Sequence, residues 1–396
     1  MAILKKTVAF LTAAMITACV AGCADTSYAM KADNKEIKAG IYIDYLYNEM
    51  VNQIQTMTYS GVTGSPLNQK IEGKKFADYV EEVALKTTKE HVVINNKFDE
   101  LKLTLDPDET KQINSNLTDS WEQSAEDYEK QGISKESLKE NYLTLSKRAA
   151  LFNSFYAENG SEEVTVKDLE KYVDDTFLRF KYISFEKNSE DQDAEKESVA
   201  SRDKYFKMAE KLDFAKFDEV IDAYSDEMEE KQAEEQATEE ATDVEDVSDE
   251  EAVDVSEAEV EDEVEVDEDA ETEDVEEDPY QNEQIINYDT VKDNEDNTEY
   301  VNLLKAIKDM EIGKATLYED DNLYYIIIKG DITERSEEYI ADDNNRESTL
   351  YQMKKDDFQS KLDSWIKEIK FTMNDDAMKT FSAKNVYSIM TEDYDK

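Results

Sequence analysis

Across 396 residues the chain has two cysteines, one histidine, three prolines and nine glycines. Both cysteines, Cys19 and Cys23, lie in the first thirty residues, so no disulfide framework and no thiolate metal site is available to the rest of the chain. The lone histidine, His91, excludes His-rich zinc clusters and any two-histidine acid/base pair. No phosphate-loop motif occurs, which excludes ATP-driven work of that kind. Basic residues are scarce: 45 against 98 acids, a net charge of −53, argue against nucleic acid and against an anionic membrane surface as partners. Long apolar runs are missing as well. The leading candidate, Val8 to Val20, is too short to span a bilayer comfortably.

An aromatic content of 10%, with 23 tyrosines, supplies the bulk for real cores, and the length suits two domains. The acidity is concentrated. Between Glu227 and Asp278 there are 29 acids against the single Lys231, more than half of the chain's net charge. This tract lacks aromatics, glycine and a period that would bury a face, which predicts a disordered spacer. As a flexible coil it would span roughly 40 Å, and like-charge repulsion would lengthen it. Calcium or basic proteins are its alternative ligands, but an EF-hand loop needs a glycine and none lies between Gly160 and Gly313.

Ahead of the tract the chain reads as helix after helix. Ile41, Tyr45, Tyr47 and Met50 recur at helical spacing, as do Phe76, Tyr79, Val80, Val83 and Ala84. Asp106-Pro107-Asp108-Glu109 carries a capping acid, a proline for the first helical position and acids for the first turn. Gly132 stops that helix. Ser134 opens the next, whose Leu138, Tyr142, Leu145, Ala149 and Phe152 form one apolar stripe ending near Gly160. His91 and Trp121 read as ordinary helical residues.

From Thr176 the period drops to two, predicting a strand over Phe177 to Phe185. Helical stripes return over Tyr205 to Leu212 and Phe214 to Tyr224. Beyond the acidic tract, Tyr300 to Met310 is helical and Gly313 breaks it. Ala315 to Tyr318 and Leu323 to Ile328 then make a hairpin. Glu337 to Lys370 reads as one long amphipathic helix, followed by a helix start at Asn374. A helix so far downstream needs a partner surface, and the early helices offer one. The chain's two ends are therefore expected to pack together around an inserted second domain.

The opening segment, Lys5-Lys6, the apolar run and Val20-Ala21-Gly22-Cys23, resembles a bacterial lipoprotein signal closely. The resemblance implies cleavage before Cys23, diacylglycerol on its thiol, and a lipid-anchored protein on the extracytoplasmic face of the cell membrane. An uncleaved signal anchor is the alternative.

The order strand, helix, helix, gap, helix, glycine, hairpin resembles a parvulin domain. Three segments carry the likeness: Arg179-Phe-Lys-Tyr-Ile-Ser184, Asp213-Phe-Ala-Lys-Phe-Asp-Glu-Val-Ile-Asp-Ala-Tyr-Ser-Asp226, and Met310-Glu-Ile-Gly313 through Tyr324-Tyr-Ile-Ile-Ile-Lys329. With the flanking helices and the lipobox, the mature chain looks like the PrsA and SurA class of extracytoplasmic foldases. This implies a mainly α fold with an α+β insert: a helical chaperone module, completed by a C-terminal helix, enclosing a degenerate parvulin-like domain that the acidic tract interrupts. The expected segments are a signal peptide over 1–22, a tether over 23–37, the helical module over 38–175, parvulin-like parts over 176–226 and 286–333, the disordered insert over 227–285, and the module's last part over 334–396.

The resemblance further implies ATP-independent holding and folding of unfolded or nascent secreted proteins, with no cofactor and no metal. Oligomeric state stays open, a dimer included. Where active parvulins carry histidines, this chain has Tyr182 and Tyr325, and the pocket aromatics after the second helix have no counterpart. Prolyl isomerisation needs no nucleophile or metal, only stabilisation of a twisted amide against a barrier of about 18–20 kcal/mol. Both tyrosines are therefore either hydroxyl donors of an altered isomerase or plain sheet residues filling a lost pocket. A passive acidic scaffold or weak calcium binder is the remaining alternative.

Overall fold

The computed structural model describes residues 27–188, 191–242, 280, 282–292 and 298–391. The signal segment, Cys23 and the acidic residues 243–279 lie outside them. In chain order the elements are β1 (Tyr28–Ala32), β2 (Lys35–Lys38), α1 (Ala39–Tyr59), β3 (Lys70–Ile71), β4 (Lys74–Lys75), α2 (Phe76–Glu100), α3 (Pro107–Gln131), α4 (Lys135–Tyr156) and α5 (Val166–Thr176). They continue with β5 (Phe177–Glu186), α6 (Gln192–Ala209), α7 (Asp218–Thr242), β6 (Gln284–Asn287), a short α8 (Tyr288–Val291), α9 (Thr298–Asp309), β7 (Ala315–Glu319) and β8 (Leu323–Gly330). The last are α10 (Ser336–Ala341), α11 (Asp343–Glu368), β9 (Phe371–Met373), α12 (Asp375–Thr380) and α13 (Ala383–Thr391). The fold is mainly helical with small antiparallel sheets.

Two compact units divide the chain: unit 1 is Met1–Thr165 with Met353–Lys396, and unit 2 is Val166–Gln352. Unit 2 is thus an uninterrupted insert in the sequence of unit 1. The seams differ from the expected 175/176 and 333/334. Helix α5 belongs to unit 2, as do α10 and the first turns of α11, because α5 packs on α10 and on the turn after β8.

Unit 1 is built as its capping chemistry dictates. Asp106 accepts hydrogen bonds from the backbone N–H of Asp108 (2.7 Å) and Glu109 (3.2 Å), and Gly132 ends α3 in the left-handed region at φ 89°. Ser134 then caps α4 through the Ser137 N–H. Tyr42, Leu46 and Met50 of α1 pack with Phe76, Val80 and Ala84 of α2, Leu138 of α4, and Ala383 and Val386 of α13. Gly40 lets α1 approach α4 closely, since a Cβ there would stand 2.6 Å from Ser137 Oγ. Within the expected α4 stripe Leu145 is 59% exposed, so that stripe is not wholly core.

The late segment completes this core. Phe358 of α11 meets Phe152 edge-on with centroids 5.4 Å apart, and Leu362 is fully buried. Glu90 of α2 accepts from Arg148 of α4 (3.1 Å) and from Gln359 of α11 (2.7 Å), joining three helices.

The structure corrects three expectations. Residues 28–37, expected within a tether, form with Lys38 the β1–β2 hairpin, with β1 also paired to β9. The hairpin is ordered because Met30, Ala32 and Ile37 bury against Ile41 and Val92. The acidic tract does not begin as a coil: α7 runs on to Thr242, because Glu, Ala, Gln and Lys are strong helix formers and Lys231 pairs with Glu227 one turn away at 3.3 Å. At its far end, Gln284–Asn287 is strand β6 on β5. The expected single helix from Glu337 to Lys370 is two, since Asp342 takes an extended backbone and its side chain caps α11 through the Asn345 N–H at 2.9 Å.

Unit 2 centres on the antiparallel sheet β6-β5-β8-β7. Strand alternation divides its side chains between two cores. Ile183, Phe185, Ile326 and Ile328 pack with Tyr205, Ala209, Phe217 and Val220 of the α6–α7 segment. Leu178, Phe180, Tyr325 and Ile327 pack with Leu303, Leu304 and Ile307 of α9 on the opposite face. Long β5 and β8 run side by side from Arg179↔Gly330 to Glu186↔Leu323.

Candidate functional site

Tyr182 and Tyr325 sit on the two central strands, and the register makes them diagonal neighbours on the α9 face. Tyr182 lies opposite Ile327, and Tyr325 lies opposite Ser184 on one side and Tyr318 on the other. Their ring centroids are 6.1 Å apart at an interplanar angle of 54°, and the Tyr318 ring lies 5.8 Å from that of Tyr325, tilted by 49°. The sequence thus named two residues that the fold does bring together.

Their environments differ sharply. Tyr182 is 40% exposed, whereas Tyr325 is 7% exposed. The Tyr325 hydroxyl donates to Asp320 Oδ2 at 2.9 Å. Asp320, in the β7–β8 turn, also accepts from the N–H groups of Asn322 (2.9 Å) and Leu323 (2.8 Å) through Oδ1. Burial and the Asp320 carboxylate together push the Tyr325 hydroxyl well above the usual phenol range. Burial acts upward on Asp320 too, but its three donors win and hold it below the ordinary carboxylate value. Tyr318 is raised, first by burial and then by Asp320 and Glu299. The outcome is an anchored, buried phenol beside one exposed aromatic ring.

A larger recess was not foreseen from sequence. Between α6, α7 and the end of β5 lies a cleft of about 530 Å³ lined by Ser184, Phe185, Ala194, Tyr224, Met228 and Lys231, among others. Tyr224 donates to the Ser184 carbonyl at 2.9 Å, and Lys231 reaches across to Glu197 at 3.3 Å. The cleft depends on α7 continuing past Tyr224. That continuation lies in residues whose acidity suggested a coil, although their helix propensity was the available signal.

A second unforeseen feature is a polar clamp. Arg179, almost buried, grips Glu283 through two bonds of 3.0 and 2.6 Å and covers the Phe214 ring. Lys181, 2% exposed, donates to Asp218 at 2.6 Å, and Asp218 in turn accepts from Asn282 at 3.0 Å. The start of α7 and the segment entering β6 are thereby tied to one strand.

Other residues singled out by sequence resolve simply. Trp121 stacks on Tyr128 within α3 at 5.9 Å. His91 is buried on α2, its Nδ1 3.1 Å from the Tyr45 hydroxyl. Among the described residues no group of three or more His, Cys, Asp or Glu converges to hold a metal ion. No helix among them is long and apolar enough to cross a membrane. No family model, curated protein or solved structure matches the chain.

Proposed function

We propose that the protein is a membrane-anchored extracytoplasmic folding factor, an ATP-independent holdase and foldase for unfolded or nascent secreted proteins. One observation carries the reading: the segment from Met353 onward returns to complete a helical core begun some three hundred residues earlier, with a whole α/β unit inserted between. Such a two-part helical unit is the arrangement implied by the foldase resemblance. Exposed apolar side chains on unit 1, including Tyr59 (91%), Leu145 (59%) and Leu101 (46%), offer extended clients a surface.

Unit 2 is proposed as a degenerate parvulin-like domain with weak or absent isomerase activity. Its element order supports the likeness, while the commitment of the Tyr325 hydroxyl to Asp320 argues against free catalytic donors. Anchoring is proposed at Cys23, through lipid on its thiol. Intact mass of the membrane form tests this, with retention of Met1 as the contrary result.

The functional test uses the soluble chain beginning at Ala24 and a chemically unfolded client. Light scattering should be suppressed near stoichiometric ratio without nucleotide. An undiminished aggregation curve overturns the proposal. On a proline tetrapeptide the expected cis-to-trans rate is close to that of buffer, and a strong acceleration would restore the isomerase reading.

A further inference from the structure

Unit 1 holds a cleft of about 390 Å³ between β2, α2 and α4, with Lys35, His91, Asn95 and Lys147 in its walls. Two lysines without a carboxylate partner line this recess. Lys147 donates to the neutral amide oxygen of Asn95 at 2.6 Å and stands 5.4 Å from the centre of the Phe98 ring. Among the described residues neither Lys147 nor Lys35 has a carboxylate within salt-bridge distance. Three acids share the lining: Glu140 is taken by Lys38 at 3.1 Å, Glu36 by Lys31 at 2.9 Å, and Asp99 remains. The unpaired charge in the cleft is therefore positive on balance.

The histidine lies beside them in the wall. Its Nδ1 is hydrogen-bonded with the Tyr45 hydroxyl at 3.1 Å, and its Nε2 has no partner among the described residues. Asn95 is locked in place by bonds from its amide to the His91 carbonyl (2.8 Å) and to Thr144 Oγ1 (2.9 Å), so its oxygen holds Lys147 in a fixed position. A held ammonium group, with a second one at the rim, is what an incoming anion of small size requires.

We propose that this cleft binds a carboxylate group, with Lys35 and Lys147 as its cationic partners and the His91 ring in its wall. The inference goes beyond the folding-factor reading and does not depend on it. Two sources share this chemistry, the free carboxylate of a peptide chain and that of a small dicarboxylate. Burial, Lys147 and Lys35 already hold the His91 ring down to about 4, so at neutral pH it meets the ligand uncharged.

His91 is the chain's sole histidine, so its imidazole Cε1–Hε1 signal is a unique reporter by NMR. At neutral pH we expect an N-acetylated tetrapeptide with a free C-terminus to move that signal saturably and its C-terminal amide not to move it. Succinate saturating the site equally well identifies a small carboxylate as ligand, and response to the peptide acid alone identifies a chain end. Either outcome supports the site. Lys35→Gln and Lys147→Gln should each weaken binding by about tenfold, with Lys147→Arg close to the parent. Thermal unfolding checks that the variants are folded, and exposed Lys35 at the start of β2 carries the test if Lys147→Gln is not. Identical shifts with acid and amide, or unchanged affinity in the folded lysine variants, overturn the proposal.

Discussion

The hydroxyl of Tyr325 is bonded to Asp320 across the β7–β8 turn at 2.9 Å, so the residue standing at an expected histidine position serves to hold a hairpin closed. Tyr325→Phe removes that bond while keeping the ring against Tyr182 and Tyr318. We expect a loss of about 1 kcal/mol in unfolding free energy, read by urea denaturation, and no change in client holding. A large loss of holding with unchanged stability would give the tyrosine a functional part instead.

Two buried groups of unit 1 should give opposite pH signatures. Burial raises Asp44 to about 6, against the opposing hydrogen bonds from Asn141 and Asn48. Its contribution favours the fold fully below the unfolded value of about 3.8 and is lost as pH rises through about 6. Burial lowers His91 to about 4, so its contribution is present above about 6.5 and lost as pH falls through about 4. Each is worth up to about 3 kcal/mol, and in the parent they largely offset one another between pH 4 and 6. Relative to the parent, Asp44→Asn should gain stability at pH 7 and lose that gain by pH 4. His91→Gln should compare more favourably with the parent at pH 4 than at pH 7. Urea midpoints at the two pH values check both signs.

Close approach of α1 and α4 makes Gly40 and Ser137 interdependent. Gly40→Ala forces a Cβ to within 2.6 Å of Ser137 Oγ and 2.9 Å of its Cβ. A cost of about 1–3 kcal/mol is expected. Adding Ser137→Gly should recover part of it, beyond the penalty that glycine itself imposes on a helix. Additive losses in the double variant would deny the contact.

Much of unit 1 was legible because its signals are local. The Asp106 cap, the left-handed stop at Gly132 and the Ser134 cap are each written within a few residues, as is the cap at Asn374. Strand β1 was not legible, because its order depends on β9, more than three hundred residues away. Helix α7 past Glu227 was not legible as helix, because its net charge points to coil while its helix propensity points the other way, and the cleft beside Tyr224 was missed with it. The tyrosine pair was legible through resemblance alone. That one member is buried and anchored depends on the reach of Asp320 from a turn, which no spacing rule states.

Helix α7 also sets a minimum length for the connection to β6. From Asp218 to Thr242 it rises roughly 36 Å, yet Asn282 is back at Asp218, bonded at 3.0 Å. A connection of at least about 11 residues is needed to cover that distance. Replacing residues 243–279 with a neutral Gly/Ser linker of equal length should leave the unfolding midpoint unchanged. Replacement by five residues should lower it, because either α7 or the Arg179–Glu283 grip has to yield. Equal midpoints for both linkers would show that the returning segment does not depend on the span.

The central claim, that this two-part helical unit receives unfolded protein, is tested most directly by titration. A permanently unfolded, fluorescently labelled client is mixed with increasing soluble chain from Ala24, without nucleotide, and anisotropy is followed. A saturable rise, lost on adding excess unlabelled unfolded client and absent with the same client folded, is the predicted result. A flat titration, or equal binding of folded and unfolded client, would contradict it.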